Sequence, residues 1–281
     1  MSALERILSK AEWYLLGNSS VYIKGLKPPL KWAGGKRWLI PHLMPFWEPH
    51  SHRCLVEPLC GGLAVALALR PKKALLNDIN VHLINFFQWV QKGLYMELPM
   101  DNGKELYYVY RDRFNRLIEE GEDNSKEAAE LFYYLNRTGY NGLCRFNQKG
   151  KYNVPFGRYN RIDYIREYWL YRELFKQWQF SCVDFEKLET TEDDFVYADP
   201  PYDVQFTSYS KGGFSWEDQV RLVKWLAKHP GPVVLSNQAT GRIIDLYRSY
   251  GYKLKYIDAP RMISCDGNRT KAREVLALKG F

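Results

Sequence analysis

An α/β fold built around a parallel sheet is predicted by three observations. Two short apolar runs near the amino end each stop at a turn and lead into a helical pattern, the same rhythm returns in the last third of the chain, and a long aromatic and basic stretch separates the two. Residues 54–56 read as a buried strand; Glu57-Pro58 ends it, Gly61-Gly62 permits a tight turn, and residues 63–69 are good helix formers. Residues 74–77 give the second strand, capped by Asp78, and residues 81–91 carry helical spacing at Leu83, Phe86, Phe87 and Val90. Before these, a short helix is expected at 38–43. Residues 92–178 break the rhythm with dense tyrosine and arginine, mixed helical periods and a polar loop at 136–159. It resumes with a strand at 195–198, a loop over 199–213, and a helix opened by the capping signal Ser215-x-x-Asp218 that runs to about Lys228. A strand at 233–236, a helix at 242–250 stopped by Gly251, and alternating strands at 253–258 and 274–278 complete the chain.

The 281 residues are 46% hydrophobic, enough for one large domain or two small ones, so disorder is excluded as the main theme. The longest uncharged apolar run, 58–69, falls short of the roughly 18 residues a membrane span needs. Residues 1–27 are broken by Glu5, Arg6, Lys10 and Lys24, so no signal peptide is expected either. Cys54, Cys60, Cys144, Cys182 and Cys265 are scattered and never form CxxC, which argues against a disulfide framework or a bound metal and for a reducing, cytoplasmic compartment. A net charge of +8 coincides with 16% aromatic residues, cations for phosphates and rings for bases, which makes nucleic acid the leading partner.

Four stretches carry chemistry. Asp199-Pro200-Pro201-Tyr202 follows a buried strand, which places it at the carboxyl edge of the sheet where open α/β folds bind ligands. Two prolines stiffen the backbone and remove two N–H donors, leaving carbonyl acceptors beside a carboxylate and a ring: a site that accepts hydrogen bonds from an exocyclic amino group while the ring stacks on the base. An acidic turn with a surface tyrosine is the structural alternative. Glu57-Pro58-Leu59-Cys60-Gly61-Gly62 offers glycines for close approach of a nucleoside, and Asp78, 21 residues after Glu57, stands where a ribose hydroxyl partner belongs. No GxxxxGK[ST] loop is present, so nucleotide hydrolysis is not supported. Leu30-Lys31-Trp32-Ala33-Gly34-Gly35-Lys36 pairs two lysines with a tryptophan, or simply forms a turn into the helix that follows. The 136–147 and 152–159 stretches interleave Arg, Asn and Tyr with glycine turns, the chemistry of groove reading, or else form a solvated basic loop.

Taken in order, KWAGGK, EPLCGG, NDIN, LNRTGYNGLCRFN, YNVPFGRY and DPPY resemble the Dam family of DNA adenine-N6 methyltransferases of the GATC-specific type, over about residues 30–278. The resemblance implies a Rossmann-like, class I S-adenosylmethionine-dependent sheet with a helical DNA-recognition insertion. Residues 28–91 and 179–281 would form the catalytic domain, 92–178 the insertion, and 1–27 an extension of unknown role. It further implies that Trp32, Lys36, Asp78 and Asp199 line the S-adenosyl-L-methionine site, with Phe185 beside the cofactor adenine. Lys31, Leu143, Arg145 and Pro155 would read the recognition bases of double-stranded DNA, Tyr140 and Asn141 would wedge into the duplex, and Asp199, Pro200 and Tyr202 would hold the flipped adenine. No metal and no membrane is implied, and a companion restriction endonuclease is left open. Leu59 and Leu63 depart from the family pattern, which leaves a catalytically impaired DNA-binding regulator as one alternative; a methyltransferase with the same pocket acting on RNA or cytosine N4 is the other.

Overall fold

The computed structural model describes residues 26–203, 213–259 and 272–281. Most of the 1–27 extension, the rest of the loop after Tyr202, and Cys265 lie outside the described residues. Seven strands form one sheet: β1 (Cys54–Glu57), β2 (Ala74–Asn77), β3 (Trp178–Ser181), β4 (Asp194–Ala198), β5 (Val233–Gln238), β6 (Lys253–Ala259) and β7 (Ala272–Lys279). Their order is β3-β2-β1-β4-β5-β7-β6, parallel except for β7, which runs antiparallel to both neighbours. The order reverses between β1 and β4, the point at which such sheets open a ligand crevice.

Both faces of the sheet are covered, which explains why its strands read as unbroken apolar runs rather than alternating ones. Leu55, Phe195, Tyr197, Val234 and Leu276 point into one core, and their chain neighbours Val56, Val196, Ala198, Leu235 and Val275 into the other. The second core is closed by α7 (Trp216–Lys228) and α8 (Gly241–Ser249) through Leu222, Val223, Leu226, Ile243 and Tyr247. Ser215 caps α7 in a full capping box with Asp218, as the sequence predicts. The first core takes α1 (Ile40–Trp47), α2 (Ala64–Leu69) and α3 (Val81–Lys92). Asn80 caps α3 by accepting from the His82 and Leu83 N–H groups. Leu63, expected as the first residue of α2, instead turns the chain in the left-handed region (φ 61°) and buries its side chain completely.

The insertion carries α4 (Lys104–Glu120), α5 (Lys126–Thr138) and α6 (Trp169–Phe175). It packs into the first core: Tyr133 of α5 stacks on Phe86 of α3, and Phe175 meets Phe87 and Trp178. Three expectations are corrected. The strand β3 was not foreseen, and it begins at Trp178, the last residue assigned to the insertion. The polar loop starts at Gly139, because α5 runs on through Thr138 and buries Asn136 and Thr138. The abundant tyrosines serve the core first: Tyr107, Tyr133, Tyr134, Tyr168 and Tyr197 are fully buried, and Tyr152, read as a stacking ring, is 2% exposed. Among the described residues, no helix is long and apolar enough to cross a membrane.

Candidate active site

The carboxyl edge of the sheet gathers four acids from four strands: Glu57 closes β1, Asp78 follows β2, Asp199 follows β4, and Glu274 joins them from the start of β7, opposite Gln238 of β5. Lys36 reaches in from the KWAGGK turn, with its Nζ 2.9 Å from Oδ1 of Asp199 and 3.1 Å from the Tyr202 hydroxyl. The Tyr202 hydroxyl in turn donates to Oε1 of Glu274. Burial works against the Lys36 charge, but Asp199, Tyr202 and Glu274 outweigh it and hold its pKa above the ordinary lysine value.

Asp199 is fixed from a second side. Ser236 of β5 donates to the same Oδ1 at 2.8 Å, and because its single hydroxyl proton is spent there, the Tyr197 hydroxyl 2.9 Å away must donate to Ser236. Oδ1 is therefore saturated, while Oδ2 takes no hydrogen bond among the described residues. Burial pushes the Asp199 carboxyl up, against the pull of Lys36 and Ser236. The turn beyond it is held by Gln219 of α7, which donates to the Pro201 carbonyl at 2.7 Å and is itself held by buried Asn237. The Pro200 carbonyl is not consumed by that network.

On the other side of the switch point, Asp78 is oriented by two backbone donors, Gly61 N–H to Oδ2 (3.1 Å) and Asn80 N–H to Oδ1 (3.0 Å), with burial raising its pKa. The two glycines have a use the sequence did not reveal. A Cβ at Gly61 would lie 2.7 Å from Nε1 of Trp32, and one at Gly62 2.7 Å from Trp32 Cβ, so the indole occupies the space their missing side chains leave. Trp32, Lys36, Asp78 and Asp199 thus stand at the same carboxyl edge of the sheet, on the two sides of the switch point. Phe185 is buried among Trp225 and Phe214, with the Arg221 guanidinium over its ring at 5.0 Å.

Sequence reasoning missed Glu57, Ser236 and Glu274 as site residues, although each is a polar residue at the same edge of the sheet. Oε1 of Glu57 and Oε2 of Glu274 are buried without a hydrogen-bond partner among the described residues. Burial, reinforced by the nearby Asp199 charge, drives the Glu57 pKa well above the ordinary value against one backbone hydrogen bond from Ala66. Two buried acids, each with one oxygen left open in this way, near Lys36 fit a ligand that brings positive charge and hydroxyl donors, as a sulfonium nucleoside with an amino-acid tail does.

The expected base-reading residues form a second cluster beside this crevice. Tyr140 donates its N–H to the Pro155 carbonyl, and the buried Tyr152 hydroxyl donates to the Leu143 carbonyl. Arg145 is braced by Asn153, side chain (2.8 Å) and carbonyl (3.2 Å), with the rest of its guanidinium exposed. Asn141 adopts φ 52° at the loop tip, and Tyr140, 50% exposed, stands next to it. Lys31 donates from Nζ to the Arg137 carbonyl at 2.9 Å and lies over the Tyr159 ring; burial, then Arg137, lower its pKa to about 8.

Residues 32–263 match the profile of the D12 class N6 adenine-specific DNA methyltransferases. The chain is 35% identical over 278 residues to the type II methyltransferase M1.LlaDCHI of Lactococcus lactis subsp. cremoris, covering 89% of this chain and 94% of that one. With the same coverage, it is 36% identical over 273 residues to the DNA adenine methylase of Escherichia coli strain K12. Against the DNA adenine methylase of Vibrio cholerae the identity is 36% over 270 residues. Fold, crevice and matched length agree: the chain belongs to the D12 class of N6 adenine-specific DNA methyltransferases, enzymes that use S-adenosylmethionine.

Proposed function

We propose that this enzyme methylates the adenine of GATC in double-stranded DNA, after the base has turned out of the helix into a pocket formed by Asp199, Pro200 and Tyr202. The observation that carries the reading is the Asp199 carboxylate: Lys36 and Ser236 saturate one oxygen, and the other takes no hydrogen bond among the described residues. That oxygen and the carbonyl of Pro200, the next residue, would offer two acceptors to the two hydrogens of an exocyclic amino group. Accepting from both would localise the nitrogen lone pair, which in free adenine is delocalised into the ring, and hold it in attacking geometry. S-adenosylmethionine, when bound, supplies an electrophilic methyl group. Asp78 would hold the ribose hydroxyls, with Trp32 and Lys36 closing the crevice.

A Tyr202 ring stacked on the base would contribute about 1–3 kcal/mol, against an extrusion cost of a few kcal/mol. Target choice rests on the exposed loop beside the crevice, where Arg145 presents a guanidinium suited to O6 and N7 of guanine, with Lys31, Leu143 and Pro155 adjoining. Tyr140 and Asn141 at its tip are shaped to enter the duplex. The DNA would be that of a bacterial or phage host in the cytoplasm. The test is to incubate unmethylated plasmid with enzyme and S-adenosylmethionine, then digest it with GATC nucleases that are blocked by, or indifferent to, N6-methyladenine. Selective protection with N6-methyladenine as the sole modified nucleoside supports the proposal; N4-methylcytosine, or methylation spread over other sequences, refutes it.

A further inference from the structure

Asn136, in the last turn of α5, is 1% exposed and makes an unusual pair of bonds. Its Oδ1 accepts from the Lys31 N–H at 2.8 Å, and its Nδ2 donates to the Lys31 carbonyl at 2.8 Å and to the Gly142 carbonyl at 3.4 Å. One side-chain amide therefore grips the backbone of the KWAGGK turn as a neighbouring strand would, and holds the recognition loop with the same nitrogen. Lys31 adds to the grip: a Cβ on Gly142 would lie 2.2 Å from Lys31 Cβ, so the loop closes directly on the lysine stem.

The contacts continue into the cofactor crevice and return. Trp32, next to Lys31, fills the space over Gly61 and Gly62. Gly61 donates to Asp78, Asp78 accepts from Asn80, and Asn80 Nδ2 reaches Sγ of Cys144 at 3.4 Å, back in the recognition loop. Cofactor crevice and recognition loop are thus joined at two places in a closed ring.

We infer that Asn136 is the positioning residue through which cofactor and DNA strengthen each other's binding; the inference rests on the reading that the 139–159 loop meets DNA. Ordering Trp32 and Asp78 around a ligand pins Lys31, and Asn136 passes that placement to Gly142 and the loop. By linkage the effect is reciprocal. A purely structural Asn136 would alter stability and leave the coupling untouched.

The test titrates the full chain with S-adenosylhomocysteine, alone and with a saturating 20-base-pair duplex containing one GATC. In the wild type the duplex should tighten S-adenosylhomocysteine binding by about fivefold or more, within the usual range for coupled sites. Asn136→Asp keeps the acceptor and loses both donated bonds; it should reduce that ratio to less than twofold while changing the DNA-free dissociation constant less than threefold. Cys144→Val opens the ring at its other junction and should lower the ratio as well. A wild-type ratio of one, or an unchanged ratio in either folded variant, overturns the inference. Methylation of the same duplex is scored in parallel: methylation with a ratio of one overturns the coupling alone, whereas failure to bind or methylate the duplex overturns the functional reading on which it rests.

Discussion

Ser236 Oγ donates to Oδ1 of Asp199 at 2.8 Å, the same oxygen that Lys36 approaches to 2.9 Å, so two strands and the amino-terminal turn fix one carboxylate before any substrate arrives. This convergence sets the direction in which the other oxygen can accept.

Removing the hydroxyl should therefore impair chemistry more than binding. Ser236→Ala is expected to lower kcat by about ten- to a hundredfold, the equivalent of the 1.5–3 kcal/mol of a hydrogen bond to a charged group, with KM for either substrate changed less than threefold. Steady-state kinetics on a GATC duplex measures this. A rise in KM at constant kcat would show that Ser236 supports the fold of the crevice rather than the orientation of Asp199.

Glu57 gives a pH signature. Its pKa is raised by burial, so the stability it contributes is full below the ordinary glutamate value of 4.5 and is lost as pH rises through the folded value. Glu57→Gln, a neutral isostere, is expected to match the wild type near pH 4 and to become the more stable of the two towards pH 8, in the absence of cofactor. Thermal midpoints across that range decide it; parallel curves would mean that Glu57 is ionised at no cost.

Lys31 titrates near physiological pH, because burial and Arg137 bring its pKa to about 8. Its charge is present below that value and lost above it. Duplex affinity of the wild type should fall between pH 7 and pH 9, and Lys31→Arg should flatten the dependence, since a guanidinium stays charged throughout. Equal slopes for both proteins would remove Lys31 from the DNA contact.

Arg145→Ala should cost about 1–3 kcal/mol in transition-state binding on GATC and much less on sites altered at the guanine it reads. Loss of a phosphate contact would instead weaken every sequence alike and lower the salt slope by about one. Methylation rates on GATC and each single-base variant at two salt concentrations separate the outcomes. A uniform loss would shift the specificity argument to Lys31, Leu143 and Pro155.

The strand-turn-helix units at both ends of the chain were legible because their strands are buried on two faces and their helices carry caps: β2 has its expected bounds, and α7 has its expected capping box. The strand β3 was not, because it lies at the sheet edge with only Trp178 buried and no glycine turn announcing it. Asp78, Asp199 and Lys36 could be picked out because they sit in short motifs. Ser236 and Glu274 could not, since their roles depend on register: Glu274 reaches the site only because β7 runs antiparallel beside β5, bringing it opposite Gln238. Aromatic content pointed to the right class of partner, but most of the rings serve a different purpose. Rings suited to stacking on bases are equally suited to filling the space between α3, α5 and the sheet, and most of the tyrosines named for the core do that.

The most direct measurement of the central claim is transfer of labelled methyl groups to a 20-base-pair duplex bearing one GATC. Wild-type enzyme should add one methyl per strand, recovered only as N6-methyladenine. It should add none to the same duplex already methylated at both adenines, and Asp199→Ala should add none to either. Label recovered in cytosine, label in the premethylated duplex, or near-normal turnover by Asp199→Ala would contradict the assignment of Asp199 and its neighbours as the pocket for the target adenine.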